Sequence, residues 1–137
     1  MLIFDSHAHY FDRRFFDPAE GPNADELLPD ILAPRGIVSH IVNVGTSVET
    51  SRLVLEQAAR YEGMYAAVGI HPEDCQDLTD HEGQISSLRA MLSDATTRAR
   101  DKIVAIGEIG LDYYEPHLRD KPCSAVIFRS AADVPIK

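Results

Sequence analysis

The chain has 137 residues, a formal net charge of −9 and 45% hydrophobic residues. This length and composition suit one globular domain, so we expect residues 1–137 to form a single unit. The acidic balance argues against a broad basic surface for nucleic acid, although a bound metal ion can supply positive charge locally. The start of the chain is charged too soon for a signal peptide, and no apolar run is long enough to span a membrane. We therefore expect a cytoplasmic protein.

Short apolar runs rich in β-branched residues predict the strands of a parallel sheet. The cores of these runs are apolar on both faces, as in parallel strands covered by helices. They lie near residues 2–5, 38–44, 65–70 and 103–107.

Helical patterns separate the predicted strands, over residues 24–32, 47–63 and 81–100. Ser47 is a good N-cap for the second of these helices, and Gly63 is expected to stop it. Pro29 is expected to break the first helix. The order β-α-β-α-β-α-β predicts an α/β fold with right-handed crossovers between parallel strands.

Side chains that bind metal ions follow three of the four predicted strands. His7 and His9 come just after the first strand, His71 after the third and Glu108 after the fourth. Ligands bind at the carboxyl ends of the strands in parallel α/β folds. This placement is the strongest functional signal in the sequence, and it predicts a metal site.

Each of these signals also has a simpler structural explanation. A histidine pair separated by one residue is a short motif with a high false-positive risk. Glu108 could be a solvated strand end, although the glycines at 107 and 110 let the backbone bend sharply around it. His71 precedes a proline and could simply belong to a turn.

Three further polar residues have less defined expectations. Asp5 is expected to cap or anchor the end of the first strand. His40 lies inside the second predicted strand and is expected to be structural or exposed. Asp112 follows Glu108 closely, and its role is left open.

Several segments together resemble the TatD-type metal-dependent hydrolases, which belong to the wider amidohydrolase-like group. The segments are FDSHAH (4–9), VNVGTSVETS (42–51), AAVGIHP (66–72) and AIGEIGLDYY (105–114). The resemblance covers roughly residues 1–114, with the motifs in the family's order. It implies a (β/α)8 barrel that uses one or two divalent ions (Mg²⁺, Mn²⁺ or Zn²⁺) to hydrolyse phosphodiester bonds in DNA.

The resemblance also implies a role for each candidate residue. His7 and His9 would hold one metal ion, and Glu108 would be the carboxylate shared between two ions. His71 would lie near the site and contact a substrate phosphate.

The chain departs from the family pattern in its length. A barrel of this type needs about 250 residues. The family's later motifs, two histidines and an aspartate expected to activate water, are absent. We therefore expect the N-terminal half of a barrel, with about four parallel β/α units and the start of a fifth strand at 134–137. Such a fragment is expected to be weakly active or inactive.

Two alternatives to a DNA hydrolase remain open. The chain could be a non-catalytic remnant that binds metal, or a related barrel hydrolase that acts on another ester or amide. A half-barrel would also leave open sheet edges and an apolar face, which favour self-association.

Overall fold

The computed structural model describes residues 2–75, 78–93, 96 and 100–111. The predicted start of a fifth strand at 134–137 and the residue Asp112 lie outside the described part of the chain. Within the described part, no helix has the length and hydropathy needed to cross a membrane.

The described strands form one parallel sheet, as predicted. They are β1 (Ile3–Ala8), β2 (Val38–Val44), β3 (Met64–Val68) and β4 (Ile103–Ile106). Their spatial order is β1-β2-β3-β4, and each neighbouring pair is parallel. Sequential order with a helix in each connection is the arrangement of successive units in a β/α barrel.

The first connecting helix, α1 (Ala24–Ile31), corrects one prediction. Asn23 caps it, since its side chain accepts a hydrogen bond from the backbone N–H of Asp25. Pro29 lies inside this helix and does not break it. A proline removes one helical donor, here the partner of the Asp25 carbonyl. Both residues are exposed, so water can reach that carbonyl.

The second helix, α2 (Val48–Arg60), begins as predicted and ends earlier. Ser47 and Thr50 form a reciprocal capping box at its start. At its end, Lys102 Nζ lies 2.9 Å from the carbonyl oxygens of Ala58 and Tyr61, where a cation complements the helix dipole. Gly63 does not stop the helix. A Cβ at Gly63 would lie 2.9 Å from the Ser39 carbonyl oxygen, so this glycine permits close approach to β2.

The third helix, α3 (His81–Met91), is shorter than the predicted span of 81–100. Leu92 is its C-cap, and Ser93 follows it outside the helix. Serine bonds readily to nearby backbone groups, which favours the end of a helix over its interior.

Within the part of the chain that the structure describes, the helices cover one face of the sheet and leave the other open. Under α1 and α2, the core includes the fully buried Leu28, Ile41 and Val54. Under α3, it includes an apolar stripe of that helix formed by Ile85, Leu88 and Leu92. These two clusters fix the helices against the sheet, because burial of each large apolar side chain stabilises by about 1.5–3 kcal/mol.

The opposite face of the sheet carries an open apolar groove. Phe4 and Val104 are each 56% exposed there. His40, Val42 and Tyr65 line the groove between them. His40 is thus exposed, in line with expectation, and the described sheet has the apolar face expected of a half-barrel.

Candidate metal centre

The curvature of the sheet brings the two outer strands of the described sheet together at their carboxyl ends. Adjacent strands lie about 4.8 Å apart, so β1 and β4 would be separated by about 14 Å in a flat sheet. Yet His7 Nε2, just before the end of β1, is 3.5 Å from Glu108 Oε2, just after β4. Side chains from opposite edges therefore meet over the strand ends.

Three of the predicted site residues converge on one point. His7 Nε2 lies 3.1 Å from His9 Nε2, and His9 Nε2 lies 3.9 Å from Glu108 Oε2. The ligand atoms of all three residues lie within 4.8 Å of one another. Two nitrogens bound to one Zn²⁺ at about 2.1 Å in tetrahedral geometry are about 3.4 Å apart. The observed spacings are close to this value, so the three groups fit a single divalent ion.

The ring of His9 is oriented by the neighbouring strand. Its Nδ1 lies 2.7 Å from the carbonyl oxygen of Val44 at the end of β2. A carbonyl oxygen only accepts, so Nδ1 carries a proton, and in the neutral ring Nε2 keeps its lone pair. Nε2 is the nitrogen that lies in the cluster, so its lone pair is available to a metal ion. A hydrogen bond from the other ring nitrogen to a carbonyl oxygen commonly fixes the ring of a metal-binding histidine.

Asp5 anchors the end of β1, as expected. Its Oδ1 accepts a hydrogen bond of 3.1 Å from the backbone N–H of His7. Burial, and secondarily the charge of Asp5, raise the pKa of the Tyr10 phenol. The Tyr10 phenol, whose ring packs against Phe15, therefore remains uncharged at neutral pH.

Glu108 is placed by backbone contacts among the strand ends. Its N–H donates to the Gly45 carbonyl at 3.1 Å, and the N–H of Gly107 donates to the Val68 carbonyl at 2.9 Å. A Cβ on Gly69 would lie 2.5 Å from the carbonyl carbon of Gly107 and 2.6 Å from the backbone carbonyl oxygen of Glu108. The approach of β3 to this segment therefore requires glycine at 69.

Sequence reasoning overlooked Gly69, although a signal was present. A glycine at the end of a strand pattern often marks close approach of another backbone. Here it follows the apolar run of β3 directly. The backbone that approaches Gly69 is residues 107–108, which carry the Glu108 carboxylate.

His71 lies beside the cluster with a different hydrogen-bonding role. Its backbone N–H donates to the Thr46 carbonyl at 2.7 Å. Its ring nitrogen Nδ1 accepts from the backbone N–H of Glu73 at 3.1 Å. The neutral ring must then carry its proton on Nε2. That nitrogen lies 3.5 Å from Glu108 Oε1. His71 therefore presents a donor at the site, while His9 presents a lone pair.

We expect Gly69→Ala to weaken Zn²⁺ binding by about 10- to 100-fold, the range for changes that misplace a ligand without removing it. The added methyl group must displace the backbone at 107–108 and so move the carboxylate. Isothermal titration calorimetry measures the effect. Gly21→Ala is the matched control, because its Cβ would meet its nearest neighbour at an ordinary 3.7 Å. Equal Zn²⁺ affinities in the two variants would contradict this role of Gly69.

Comparison with known proteins finds one consistent family. A family model described as "TatD related DNase" matches residues 4–137. The uncharacterized metal-dependent hydrolase YabD of Bacillus subtilis is 32% identical over 113 residues, which cover 82% of this chain and 38% of YabD. The 3'-5' ssDNA/RNA exonuclease TatD of Cronobacter sakazakii is 38% identical over 76 residues, covering 56% of this chain and 26% of that protein.

A solved structure shows the same fold. The crystal structure of YjjV, a TatD homolog from Escherichia coli, matches with a TM-score of 0.68 and 27% sequence identity. The match covers 93% of this chain and 44% of YjjV. The chain thus spans less than half the length of the proteins it matches, and its fold is part of their β/α barrel.

Proposed function

This chain belongs to the TatD-related family of metal-dependent hydrolases, and from that membership we propose that it carries the metal-binding part of a site that hydrolyses phosphodiester bonds of DNA. The observation that supports this function best is the convergence of His7, His9 and Glu108 over the strand ends. One relative is named an exonuclease on single-stranded DNA and RNA, and another, from Schizosaccharomyces pombe, a deoxyribonuclease.

His7, His9 and Glu108 are the proposed ligands of a divalent ion. Two imidazole nitrogens and one carboxylate oxygen suit Zn²⁺ or Mn²⁺ better than Mg²⁺, which prefers oxygen ligands. Such an ion, when bound, lowers the pKa of a coordinated water and polarises a phosphoryl oxygen. Oε2 of Glu108 faces His7, while Oε1 faces His71. The second oxygen therefore lies away from the histidine pair, an arrangement that suits a carboxylate shared with a second ion.

His71 is the proposed contact for a substrate phosphate. Its Nε2–H points toward the cluster, and its side chain is 26% exposed, so an anionic oxygen can reach it. A donor at this position complements negative charge, which a net acidic chain otherwise repels.

We expect His71→Phe to weaken the binding of thymidine 5'-phosphate to the Zn²⁺-loaded chain by about tenfold, the loss of one charge-assisted hydrogen bond. Zn²⁺ affinity is measured on the same variant, so that lost nucleotide binding is separated from any lost binding of the ion through the neighbouring Glu108. His40→Phe, on the open face of the sheet, is the control and should change neither value. Equal nucleotide affinity in the two variants would refute the phosphate contact.

The proposed reaction is tested by comparing the hydrolysis of three classes of substrate: DNA, a carboxylic ester and an amide. The Mn²⁺-loaded chain should hydrolyse a 5'-labelled single-stranded DNA and leave a carboxylic ester and an amide of similar size intact. Turnover of the ester or the amide alone would assign the chain to the related hydrolases instead. Metal binding with no turnover of any substrate would favour the non-catalytic alternative.

We further propose that the open face of the sheet associates with a second copy of the chain. Phe4 is 56% exposed in a groove lined by aromatic and aliphatic side chains. Contiguous exposed apolar surface of this kind marks association sites.

Sedimentation velocity over a range of concentrations tests the association. We expect the unsubstituted chain to associate as concentration rises and Phe4→Ser to weaken that association. Leu53→Ser is the control, because Leu53 is 39% exposed on α2, away from the groove. A single monomeric species at every concentration would contradict the proposal.

A further inference from the structure

A closed ring of hydrogen bonds lies beneath the histidine pair. Asn43 Nδ2 donates to Gln57 Oε1 at 2.6 Å. Asn43 Oδ1 accepts from the Tyr10 N–H at 2.9 Å, and Gln57 Nε2 donates to the Tyr10 carbonyl at 3.0 Å. The two amide side chains are only 0% and 2% exposed. They therefore bind both backbone groups of a single residue from within the core.

Packing of α2 on β2 does not by itself require such a pair. Burial of an amide side chain costs free energy unless it is fully bonded, and apolar residues of similar size fill the same space without that cost. The position of Tyr10 suggests the reason. Strand β1 ends at Ala8, so the backbone at 9–10 has left the strand. The amide pair supplies the bonds that a sheet neighbour would otherwise give.

The same strand also holds the ring of His9. Asn43 binds the backbone of the residue after His9, and the Val44 carbonyl accepts from His9 Nδ1 at 2.7 Å. Two successive residues of β2 thus bind the imidazole of His9 and the backbone of the residue that follows it. The Nε2 atom is thereby set 3.1 Å from that of His7.

We propose that Asn43 and Gln57 are positioning residues that hold His9 in the orientation needed for metal binding. This inference rests on the proposed metal site and assigns part of its preorganisation to α2, which contributes no ligand. A side chain whose neighbours lock its rotamer binds without first paying the entropy of ordering.

Gln57→Met tests the proposal, because it keeps the length of the side chain and removes both bonds. Zn²⁺ affinity measured by calorimetry should fall by about 10- to 100-fold, as for other outer partners of metal-binding histidines. Val54→Ala is the matched control. Val54 lies on the same helix and is fully buried, but is not part of the ring. Its Zn²⁺ affinity should stay within about twofold of the unsubstituted value, even though loss of buried methyl groups destabilises the core.

A second readout needs no metal. Two-bond ¹H–¹⁵N correlation spectra distinguish the histidine tautomers, and His9 should be protonated at Nδ1 in the unsubstituted chain. In Gln57→Met we expect a mixture of tautomers for His9 and unchanged signals for His71. Because this measurement is made on the metal-free chain, it tests the positioning role even if the unsubstituted chain binds no Zn²⁺, a result that would defeat only the proposed function.

The double variant Asn43→Leu, Gln57→Met is the second test, for the case in which Gln57→Met alone does not fold. Gln57→Met leaves the buried Asn43 Nδ2 without its partner, and Asn43→Leu removes that unpaired donor. We expect this variant to remain folded and to show the same loss of Zn²⁺ affinity as Gln57→Met. Unchanged affinity with unchanged His9 signals would overturn the proposal. Unfolding of both variants would overturn it as well, since the ring would then serve the fold and not the site.

Discussion

The double variant His7→Ala, His9→Ala is expected to bind Zn²⁺ at least about 100-fold more weakly than the unsubstituted chain. Changes that only misorient a ligand already cost about 10- to 100-fold in affinity, so removing two ligands should cost more. Glu108 alone would remain, and a single carboxylate holds Zn²⁺ weakly. Isothermal titration calorimetry at neutral pH measures the difference directly.

Histidines elsewhere provide the control for this experiment. His40 lies on the open face of the sheet, and His81 is the first residue of α3. The double variant His40→Ala, His81→Ala removes the same number of imidazoles and should retain the Zn²⁺ affinity. Unchanged Zn²⁺ binding in the His7, His9 variant would refute their assignment as ligands.

Hydrolysis of DNA by this chain is expected to be slow and to depend entirely on Glu108. Among the described residues, the cluster holds three ligand groups, and no further carboxylate joins it to act as a base. A positioned general acid or base contributes about 10²- to 10⁴-fold, so its absence should lower the rate by that factor. Cleavage of labelled single-stranded DNA in Mn²⁺, by the unsubstituted chain and by Glu108→Ala, measures both points.

A second carboxylate variant separates the site from general effects of charge. Glu20 pairs with Arg13 on the surface, an interaction that contributes little to stability. Glu20→Ala should therefore keep the slow cleavage that Glu108→Ala abolishes. Rapid cleavage that is lost in Glu108→Ala would show that the described ligands suffice. Cleavage that survives the substitution would reveal a contaminating nuclease.

The sheet and the candidate ligands could be predicted because both depend on local patterns. Each predicted strand is a short apolar run, and each candidate residue follows the end of that run, although β1 itself extends through His7 to Ala8. In a parallel sheet those ends lie at one edge, so His7, His9, His71 and Glu108 were expected near one another before any distance was known. The cap at Ser47 was equally local, since it needs only a hydroxyl at the first turn.

Features that depend on contacts between distant segments could not be predicted in this way. Gln57 looks like an ordinary polar position on an amphipathic helix, and its burial becomes visible only when α2 packs over Tyr10. The requirement for glycine at 69 arises from the segment that carries Glu108, almost forty residues away in the sequence. Pro29 misled the prediction for a related reason. Its cost to a helix depends on whether water reaches the carbonyl it leaves unpaired.

X-ray absorption spectroscopy at the zinc edge tests the central claim, that His7, His9 and Glu108 bind one ion, most directly. The Zn²⁺-loaded chain should show nitrogen and oxygen donors at about 2.0–2.2 Å, with the multiple scattering of two imidazoles. That imidazole signal should disappear in the His7→Ala, His9→Ala variant. A zinc environment without imidazole, or one that is the same in both proteins, would contradict the proposed metal centre.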